Sequence, residues 1–346
     1  MADQSLTYQD AGVNIDGAAV VLRSVSETLR KTHNDSVIGG IGGFGALFQP
    51  DFSDMARPVL VSSIDGVGTK TKVAAMLGKF DGLGADIVNH CVNDILCQGA
   101  RPLFFLDYFG CSHLNAEQFG DVLRSAADAC SAVGCALIGG ETAELPGVYV
   151  DDEIDIVGSI VGVVDYEKKL PRAKMQAGDA VVGIASSGLH TNGYSLARRA
   201  LFDSAGISAR DEIAGLGTTV GEELLRPHRC YFNAVYPILS EVPEVYAAAH
   251  VTGGGFYDNI PRILPTDCRV IIDRRSWTPL PIFQMIQEAG NIETAEMYRV
   301  FNMGVGMVLI CSREVAPSVV QRLSQEGENA AIIGEVQKGP NDVQIM

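Results

Sequence analysis

The stretch PVLVSSIDGVGTK, residues 58–70, carries the strongest structural signal in the sequence. Its first seven residues are apolar, β-branched or small and predict a strand, and a segment with helical character follows the last residue. Asp65 would then lie at the carboxyl edge of a strand, where α/β proteins commonly bind ligands. Gly66 and Gly68 would let the backbone approach a phosphate. Asp65 could hold a divalent cation, and Lys70 could supply a positive charge.

The same stretch is equally compatible with an ordinary Asp-Gly turn. It lacks the full spacing of a Walker A motif, and it lacks the third glycine of a dinucleotide-binding motif. Spacing alone therefore leaves the phosphate site and the simple turn open.

A second group of polar residues lies on the helix predicted over residues 81–98. Their spacing of i, i+4, i+7, i+8 and i+11 places them on one face: Asp86, His90, Asn93, Asp94 and Cys97. This face could be exposed to solvent, bind a metal or line an active site. Asn93 and Asp94 are poor helix formers, which favours a functional role, and their oxygen atoms suit Mg²⁺. Zinc held by Asp86, His90 and Asp94 is a formal alternative.

Four further segments combine glycine with polar side chains at the ends of predicted strands or in loops. They are Gly39–Gly45, Gly139–Glu144, Ser186–Gly193 and His250–Gly255. Backbone N–H groups in such segments can bind phosphate, although each segment alone would serve equally well as a mobile loop or a capping turn. Taken with the polar helix face, the set indicates a large, multiply phosphorylated ligand accompanied by Mg²⁺.

Composition limits the classes of partner. The chain has 346 residues, 26 Lys and Arg against 42 Asp and Glu, and a net charge of −16, which disfavours nucleic acid and anionic membranes as partners. Residues 1–168 carry 10 basic and 23 acidic residues. We do not expect the first residues to act as a secretory signal, because they lack a basic segment followed by an apolar one. No apolar stretch of the sequence is long enough to span a bilayer. Its eight cysteines form no Cys-x-x-Cys pair. We therefore expect reduced thiols and a cytoplasmic protein.

Alternating helical and strand patterns run along the whole chain and predict an α/β fold. The length favours two domains. Lys168, Lys169, Leu170 and Pro171 interrupt the pattern. We therefore predict an N-terminal domain over residues 1–168 and a C-terminal α/β domain over residues 169–346.

An ordered set of motifs gives the chain a resemblance to a known family. The motifs are residues 8–13 (YQDAGV), 43–47 (GFGAL), 65–70 (DGVGTK), 91–94 (CVND), 98–108 (QGARPLFFLDY), 139–147 (GGETAELPG), 186–195 (SSGLHTNGYS), 252–256 (TGGGF), 296–302 (EMYRVFN) and 304–307 (GVGM). In this order they closely resemble the phosphoribosylformylglycinamidine cyclo-ligases, also called aminoimidazole ribonucleotide synthetases, over the whole chain. Ile64 and Leu189 depart from the family pattern without changing a charged group.

The resemblance implies an ATP- and Mg²⁺-dependent ring closure in purine synthesis. Formylglycinamidine ribonucleotide would become 5-aminoimidazole ribonucleotide after phosphorylation of its formyl amide oxygen, with release of ADP and phosphate. The resemblance also implies two α/β domains and a homodimer in which two N-terminal sheets pair into a barrel.

Carried over by motif, the resemblance implies roles for particular residues. The expected metal ligands are Asp65, Asn93, Asp94 and Glu141. The expected ATP-binding residues are Gly42, Gly43, Asp65, Gly66, Gly68, Thr69, Lys70, Asn93 and Glu141. The expected substrate-binding residues are Ser187, Gly188, His190, Asn192, Thr252, Gly253 and Gly254. Lys70, Asp94 and His190 are the expected catalytic residues.

Two alternatives remain at this point. Other enzymes of the superfamily, such as selenophosphate synthetases and thiamine-phosphate kinases, share the scaffold and the carboxylates. A selenophosphate synthetase would carry a reactive Cys or selenocysteine in its glycine-rich segment, whereas residues 37–47 contain none. A nucleotide-binding regulatory module would be expected to lack Asp65, Asp94 or Glu141, and all three are present.

Overall fold

The computed structural model describes residues 15–40, 42–213, 215 and 217–346. The motif at residues 8–13 quoted above lies outside this part. The described chain forms an α/β structure with two separate main sheets, each covered by helices.

The first sheet has four strands in the order β3-β6-β4-β5, and a short pair, β1-β2, precedes it. In chain order the elements are α1 (Ile15–Lys31), β1 (Val37–Ile38), β2 (Leu47–Phe48), β3 (Pro58–Gly66), α2 (Lys70–Leu77), α3 (Leu83–Leu96), β4 (Arg101–Cys111), α4 (Ala116–Ala132), β5 (Ala136–Glu144) and β6 (Ile154–Asp165).

Helices α3 and α4 cover one face of this sheet. The approach of α3 is close enough to require glycine at position 158 of β6, where a Cβ would lie 2.2 Å from Phe105 Cζ and 2.7 Å from Ile87 Cγ1. Residues on this face, such as Phe105 and Ile160, are fully buried. This face therefore forms the N-terminal hydrophobic core.

The opposite face of the first sheet is apolar and exposed. The strand register places Ile64, Ser159 and Leu106 in one row across β3, β6 and β4. Leu60, Ile64 and Leu106 are 62%, 69% and 37% exposed. A group of this kind on a sheet face indicates a surface that binds a partner.

The second sheet has six strands in the order β12-β9-β11-β7-β10-β8. Its elements are β7 (Ala180–Ala185), α5 (Tyr194–Arg198), α6 (Val220–Leu224), α7 (Phe232–Glu241), β8 (Val245–His250), α8 (Gly255–Asn259), β9 (Cys268–Ile272), α9 (Pro281–Gly290), α10 (Thr294–Val300), β10 (Val305–Cys311), α11 (Ala316–Gln325), β11 (Ala330–Lys338) and β12 (Val343–Ile345). Strand β10 is buried at every position. Two hydrophobic clusters, one on each side of the sheet, explain this continuous burial.

The predicted elements are found, but two strands are longer than the sequence pattern indicates. Strand β3 continues through Asp65 to Gly66, and β5 continues through the glycine-rich segment to Glu144. Pairing with β6 and β4 satisfies the backbone of these residues, which outweighs the low strand propensity of glycine and acidic residues. Tertiary contacts therefore convert two predicted loops into strand ends.

All eight cysteines are free, and seven of them are buried. The free and mostly buried cysteines agree with the prediction of reduced thiols, which stays a prediction. Within the described residues, none of the helices combines the length and the apolar character that crossing a bilayer would require.

Candidate active site

Part of the polar face of α3 contacts the second half of the chain. Asn93 Oδ1 accepts from the backbone N–H of Tyr231 at 2.9 Å, and its Nδ2 donates to the carbonyl of Arg229 at 2.8 Å. Asn89 donates to the carbonyl of His228 at 2.7 Å, and Asp86 accepts from the backbone N–H of the same residue at 2.7 Å. These side chains form hydrogen bonds with the backbone of residues 228–231, which lie outside the strands. This part of the face therefore joins the two halves.

Asn93, one of the predicted metal ligands, has protein partners in this structure. Its side chain is fully buried, and both of its polar atoms are already bonded to the backbone of residues 229–231. An interface between the two halves, rather than a cation, accounts for an asparagine in the middle of this helix.

Lys70, which is predicted to bind phosphate and to act in catalysis, likewise has protein partners in this structure. Lys70 Nζ lies 2.8 Å from Asp86 Oδ1 and donates to the carbonyls of Arg226 at 2.7 Å and His190 at 3.2 Å. An ammonium group has three N–H donors, so these acceptors use all of them. Both side chains of the ion pair are completely buried. Lys70 therefore stabilises the contact between the halves.

The other part of the same face opens onto a cavity of about 260 Å³. Asp65 from β3 and Asp94 from α3 both border it. They approach one nitrogen, His90 Nε2, at 3.0 Å from Asp65 Oδ2 and 3.8 Å from Asp94 Oδ2. Their side chains are 44% and 27% exposed, so both carboxylates are accessible. The structure thus brings together two of the predicted metal ligands.

Both carboxylates are held in their ionised form. Burial alone would raise the pKa of Asp65, but the hydrogen bond and charge of His90 outweigh it and keep the pKa below its usual value. Burial opposes ionisation of Asp94 as well, and His250, His90 and Ser63 lower its pKa. Burial works to lower the pKa of His90, but its contacts with Asp65 and Asp94 raise it above the usual value.

Four of the six histidines in the sequence form one cluster beside the cavity. His228 Nε2 lies 2.9 Å from His250 Nε2, and the ring of His190 stacks on His228 with centroids 4.0 Å apart. Together with His90 they connect α3 to the second half. His228 was not predicted as a site residue, and His250 was named only as the start of a glycine-rich segment, because they lie 138 and 160 positions after His90 and no local motif links them to it.

His190 does not reach the cavity surface. Its side chain is fully buried, and burial lowers its pKa well below the usual value. Its Nε2 accepts from the backbone N–H of Ser187 at 3.2 Å, and its Nδ1 has no partner. The backbone at His190 has a φ of +63°, which places this residue in the left-handed region. The expected role of His190 in proton transfer to substrate therefore has no support from this geometry.

Glu141 lies far from the two carboxylates within one chain. The register aligns Asp65, Gly158, Asp107 and Gly140 in one row across the four strands. Three strand spacings separate the backbones of Asp65 and Gly140, about 14 Å. Glu141, the next residue, points to the other face of the sheet. Within one chain, Asp65 and Glu141 therefore lie too far apart, and on opposite faces of the sheet, to bind the same cation.

The remaining predicted residues divide between the cavity and its surroundings. Thr252 borders the cavity, and the Cβ position of Gly253 lies 3.2 Å from Asn192 Oδ1. Asn192 Nδ2 is a buried donor without a partner. Gly254 has a φ of +92° and begins the turn into α8.

Other predicted residues have contacts with the protein itself. Ser187 donates to the carbonyl of Pro227 at 2.6 Å, and the carbonyl of Gly188 accepts from Asn302 at 2.9 Å. Thr69 Oγ1 lies 3.1 Å from Ser195 Oγ. Gly66 donates its N–H to Asp65 at 2.7 Å, and Gly68 has a φ of +66° at the start of α2. Gly42 and Gly43 are exposed in the loop between β1 and β2.

Comparison with known proteins places this fold and site in a class. The family profile described as "AIR synthase related protein, N-terminal domain" matches residues 53–164, and that described as "AIR synthase related protein, C-terminal domain" matches residues 176–345. The chain is therefore a two-domain protein of the AIR synthase related class.

A phosphoribosylformylglycinamidine cyclo-ligase from Geotalea uraniireducens is 47% identical over 338 residues, covering 98% of this chain and 97% of the relative. The chain belongs to the phosphoribosylformylglycinamidine cyclo-ligase family.

Solved structures share the fold at lower sequence identity. The thiamine-monophosphate kinase from Stenotrophomonas maltophilia has a TM-score of 0.67 and 16% identity, covering 94% of this chain and 95% of its own. A hydrogenase maturation protein HypE in complex with ATP has a TM-score of 0.66 and 17% identity, covering 97% and 93%. Identities at this level show a common fold and leave the reaction to be argued from the site.

Proposed function

We propose that this chain converts formylglycinamidine ribonucleotide and ATP into 5-aminoimidazole ribonucleotide, ADP and phosphate. The observation that carries the proposal is the near full-length identity of 47% to a named cyclo-ligase. The paired carboxylates at the edge of the cavity support it, because they supply the negative charge that a nucleotide-bound cation requires.

The residues at the cavity fit Mg²⁺. Asp65 and Asp94 offer carboxylate oxygens, both groups are ionised, and both approach the same His90 nitrogen, so they already share one location. Mg²⁺ prefers oxygen ligands and retains several waters, so two protein carboxylates are sufficient. When bound, the cation would neutralise charge on the phosphates of ATP. Asp65 and Asp94 are the residues of this chain that would hold it.

The same cavity has the charge needed for a phosphorylated substrate. Arg172 and Arg262 border it together with Thr252 and Asn259. Arginine binds phosphate through two parallel N–H groups. We assign the two arginines to the substrate phosphate, because their charge is opposite to that of the carboxylates that border the same cavity. This division explains how a chain with a net charge of −16 can bind anions.

Ring closure requires the formyl amide oxygen to become a leaving group. Transfer of the ATP γ-phosphoryl group to that oxygen produces an activated carbon. The substrate nitrogen then attacks this carbon, loses a proton, and phosphate departs with the C–O bond electrons. Most of the catalytic effect in such a sequence comes from positioning and charge neutralisation. Buried, fixed side chains around an open cavity suit that task.

The test is an assay of ATP consumption with formylglycinamidine ribonucleotide, in which colour develops from the aminoimidazole product. We expect product to form in a one-to-one ratio with ADP. Normal ATP binding without product would reject the cyclo-ligase function. Consumption of ATP with thiamine monophosphate in place of formylglycinamidine ribonucleotide would instead support a kinase of the same fold.

We propose in addition a homodimer formed through the exposed face of the first sheet, the pairing that the family resemblance implies. Leu60, Ile64 and Leu106 supply the apolar area. Light scattering should give twice the chain mass of 36.8 kDa. Leu60→Asp should shift the mass toward one chain, whereas Ile332→Asp, at an exposed apolar residue of the second sheet, should not. A wild-type mass of one chain at micromolar concentration would contradict the dimer.

We also retain, as proposals, the division into residues 1–168 and 169–346 and a cytoplasmic location. The two separate sheets support the division. The eight free cysteines support a reducing compartment.

A further inference from the structure

A continuous chain of hydrogen bonds connects the two carboxylates of the cavity through the second half of the protein. It begins with Asp65 and His90, whose Nδ1 lies 2.7 Å from Thr191 Oγ1. Thr191 Oγ1 lies 3.2 Å from His228 Nδ1. His228 Nε2 lies 2.9 Å from His250 Nε2.

This chain of hydrogen bonds ends at Asp94, whose Oδ1 lies 2.8 Å from His250 Nδ1. Thus α3 contributes His90 and Asp94, β3 contributes Asp65, and the middle of the chain comes from the second half.

Donor and acceptor roles along this chain follow from its end at Asp94. An ionised carboxylate only accepts, so His250 donates from Nδ1, and its Nε2 is the acceptor in the neutral ring. His228 must then donate from Nε2 and accept at Nδ1. The hydroxyl is the donor to that nitrogen, and it accepts in turn from His90 Nδ1. At Thr191 a single hydroxyl oxygen both accepts from His90 and donates to His228, so this one group links α3 to the histidines of the second half.

The carboxylates at the two ends have little freedom to rotate. Asp65 Oδ1 also accepts from the N–H of Gly66 at 2.7 Å, and Asp94 Oδ2 accepts from Ser63 at 2.8 Å. Each carboxylate is thus held at both oxygens. Groups that orient a ligand through its hydrogen bonds raise the precision of a binding site.

We propose that Thr191 and His228 are positioning residues, which act through His90 and His250 on the two carboxylates of the cavity. The proposal rests on the proposed role of those carboxylates as the cation site. Its consequence is that the carboxylates are correctly oriented only while the two halves of the protein are docked, because the middle of the chain belongs to the second half.

The main test compares Thr191→Val with Thr191→Ser. Valine has the shape of threonine without the hydroxyl, so a residue that only packs would tolerate it. We expect Thr191→Val to lower kcat about tenfold, since it leaves two buried polar groups without a partner. KM values for ATP and substrate should change less than about twofold, because no residue that contacts them is altered. Serine retains the hydroxyl and should restore most of the turnover.

A second readout needs neither metal nor turnover. In protein labelled with ¹⁵N-histidine and free of metal and nucleotide, the imidazole nitrogen resonances report which nitrogen of each ring carries a proton. The wild type should show His228 protonated on Nε2 and His250 on Nδ1. Thr191→Val should shift the resonances of His90 and His228. The resonances of His33 and His113, which take no part in this chain of hydrogen bonds, should stay unchanged.

Either of two results would overturn the proposal: wild-type turnover in Thr191→Val, or a His228 ring protonated on Nδ1 in the wild type. If the wild type makes no aminoimidazole product, the proposed function fails. The imidazole resonances then still decide whether the hydrogen bonds between His90, Thr191, His228 and His250 are formed. The two failures are therefore distinguishable.

Discussion

One helix face provides two regions with the same kinds of residue and different roles. At the closed region, Asp86 and Asn93 are completely buried and bonded to Lys70 and to the backbone of residues 228–231. At the open region, His90 and Asp94 border the cavity, and Asp94 is 27% exposed. The closed region holds the halves together, and the open region presents charge to a ligand.

The difference shows that partners, rather than residue type, separate a structural carboxylate from a functional one. Asp86 faces a buried ammonium and backbone N–H groups, so its charge is compensated inside the protein. Asp94 accepts hydrogen bonds from Ser63 and His250, one at each carboxylate oxygen, and it still borders the cavity. Spacing along α3 cannot distinguish these cases, because both residues lie on the same face.

The largest expected effect comes from breaking the closed region with Lys70→Met. Burial lowers the pKa of Lys70 and raises that of Asp86, against their attraction across 2.8 Å, so loss of the lysine leaves a buried charge uncompensated. We expect the free energy of unfolding to fall by about 3–5 kcal/mol in denaturant titrations.

Lys72→Met on the same helix is the matched control. Lys72 forms a partly exposed ion pair with Glu153, so its loss should cost less than about 1 kcal/mol. Adding Asp86→Asn to Lys70→Met should recover part of the stability, because it removes the orphaned charge. Equal losses for Lys70→Met and Lys72→Met would show that the closed region does not hold the halves together.

The next effect concerns the open region. Asp94→Asn should lower turnover more than about tenfold, because a neutral amide binds Mg²⁺ less well than a carboxylate. The unfolding free energy should change by no more than about 1 kcal/mol, since the residue is partly exposed. The rate of product formation measured over a series of Mg²⁺ concentrations should show a raised midpoint. Asp121→Asn, at a partly exposed carboxylate of α4 that forms an ion pair with Arg124, should retain the wild-type midpoint. Wild-type turnover in Asp94→Asn would remove Asp94 from the cation site.

The elements of the fold could be predicted because hydrophobic periodicity is local. The sequence pattern predicts helices over residues 81–98 and 116–133 and strands over residues 180–185 and 306–311. The observed α3, α4, β7 and β10 end within two residues of these bounds. The sequence also indicates Asp65 and Asp94 as site residues, since each lies beside a regular apolar pattern.

The contacts that change the roles of predicted residues could not be derived in this way. Lys70 pairs with Asp86, 16 positions away, but also bonds to the carbonyls of His190 and Arg226, 120 and 156 positions away. The position of Glu141 could not be derived either. Pairing with β4 extends β5 through a glycine-rich segment, and this pairing fixes the side of the sheet to which the Glu141 carboxylate points. Long-range partners of this kind leave no periodic signal in the sequence.

Asp107 offers the smallest effect and a carboxylate that belongs to neither region. It lies in the same row as Asp65 between two glycines, and a Cβ at Gly140 would lie 2.2 Å from its Oδ1. Burial raises the pKa of Asp107 to about 7. Between its ordinary pKa near 3.8 and that value, the folded state binds the proton more tightly than the unfolded chain, so stability falls as the pH rises through this window.

Asp107→Asn removes this penalty, because an amide of the same shape does not ionise. The variant should be more stable than the wild type at pH 8, and the difference should vanish near pH 4. Thermal unfolding of both proteins at the two pH values measures it, and turnover should be unchanged because the carboxylate lies about 10 Å from Asp65 along the sheet. A loss of activity at unchanged stability would instead place Asp107 with Asp94 among the carboxylates that act on a ligand, and would extend the open region across the sheet.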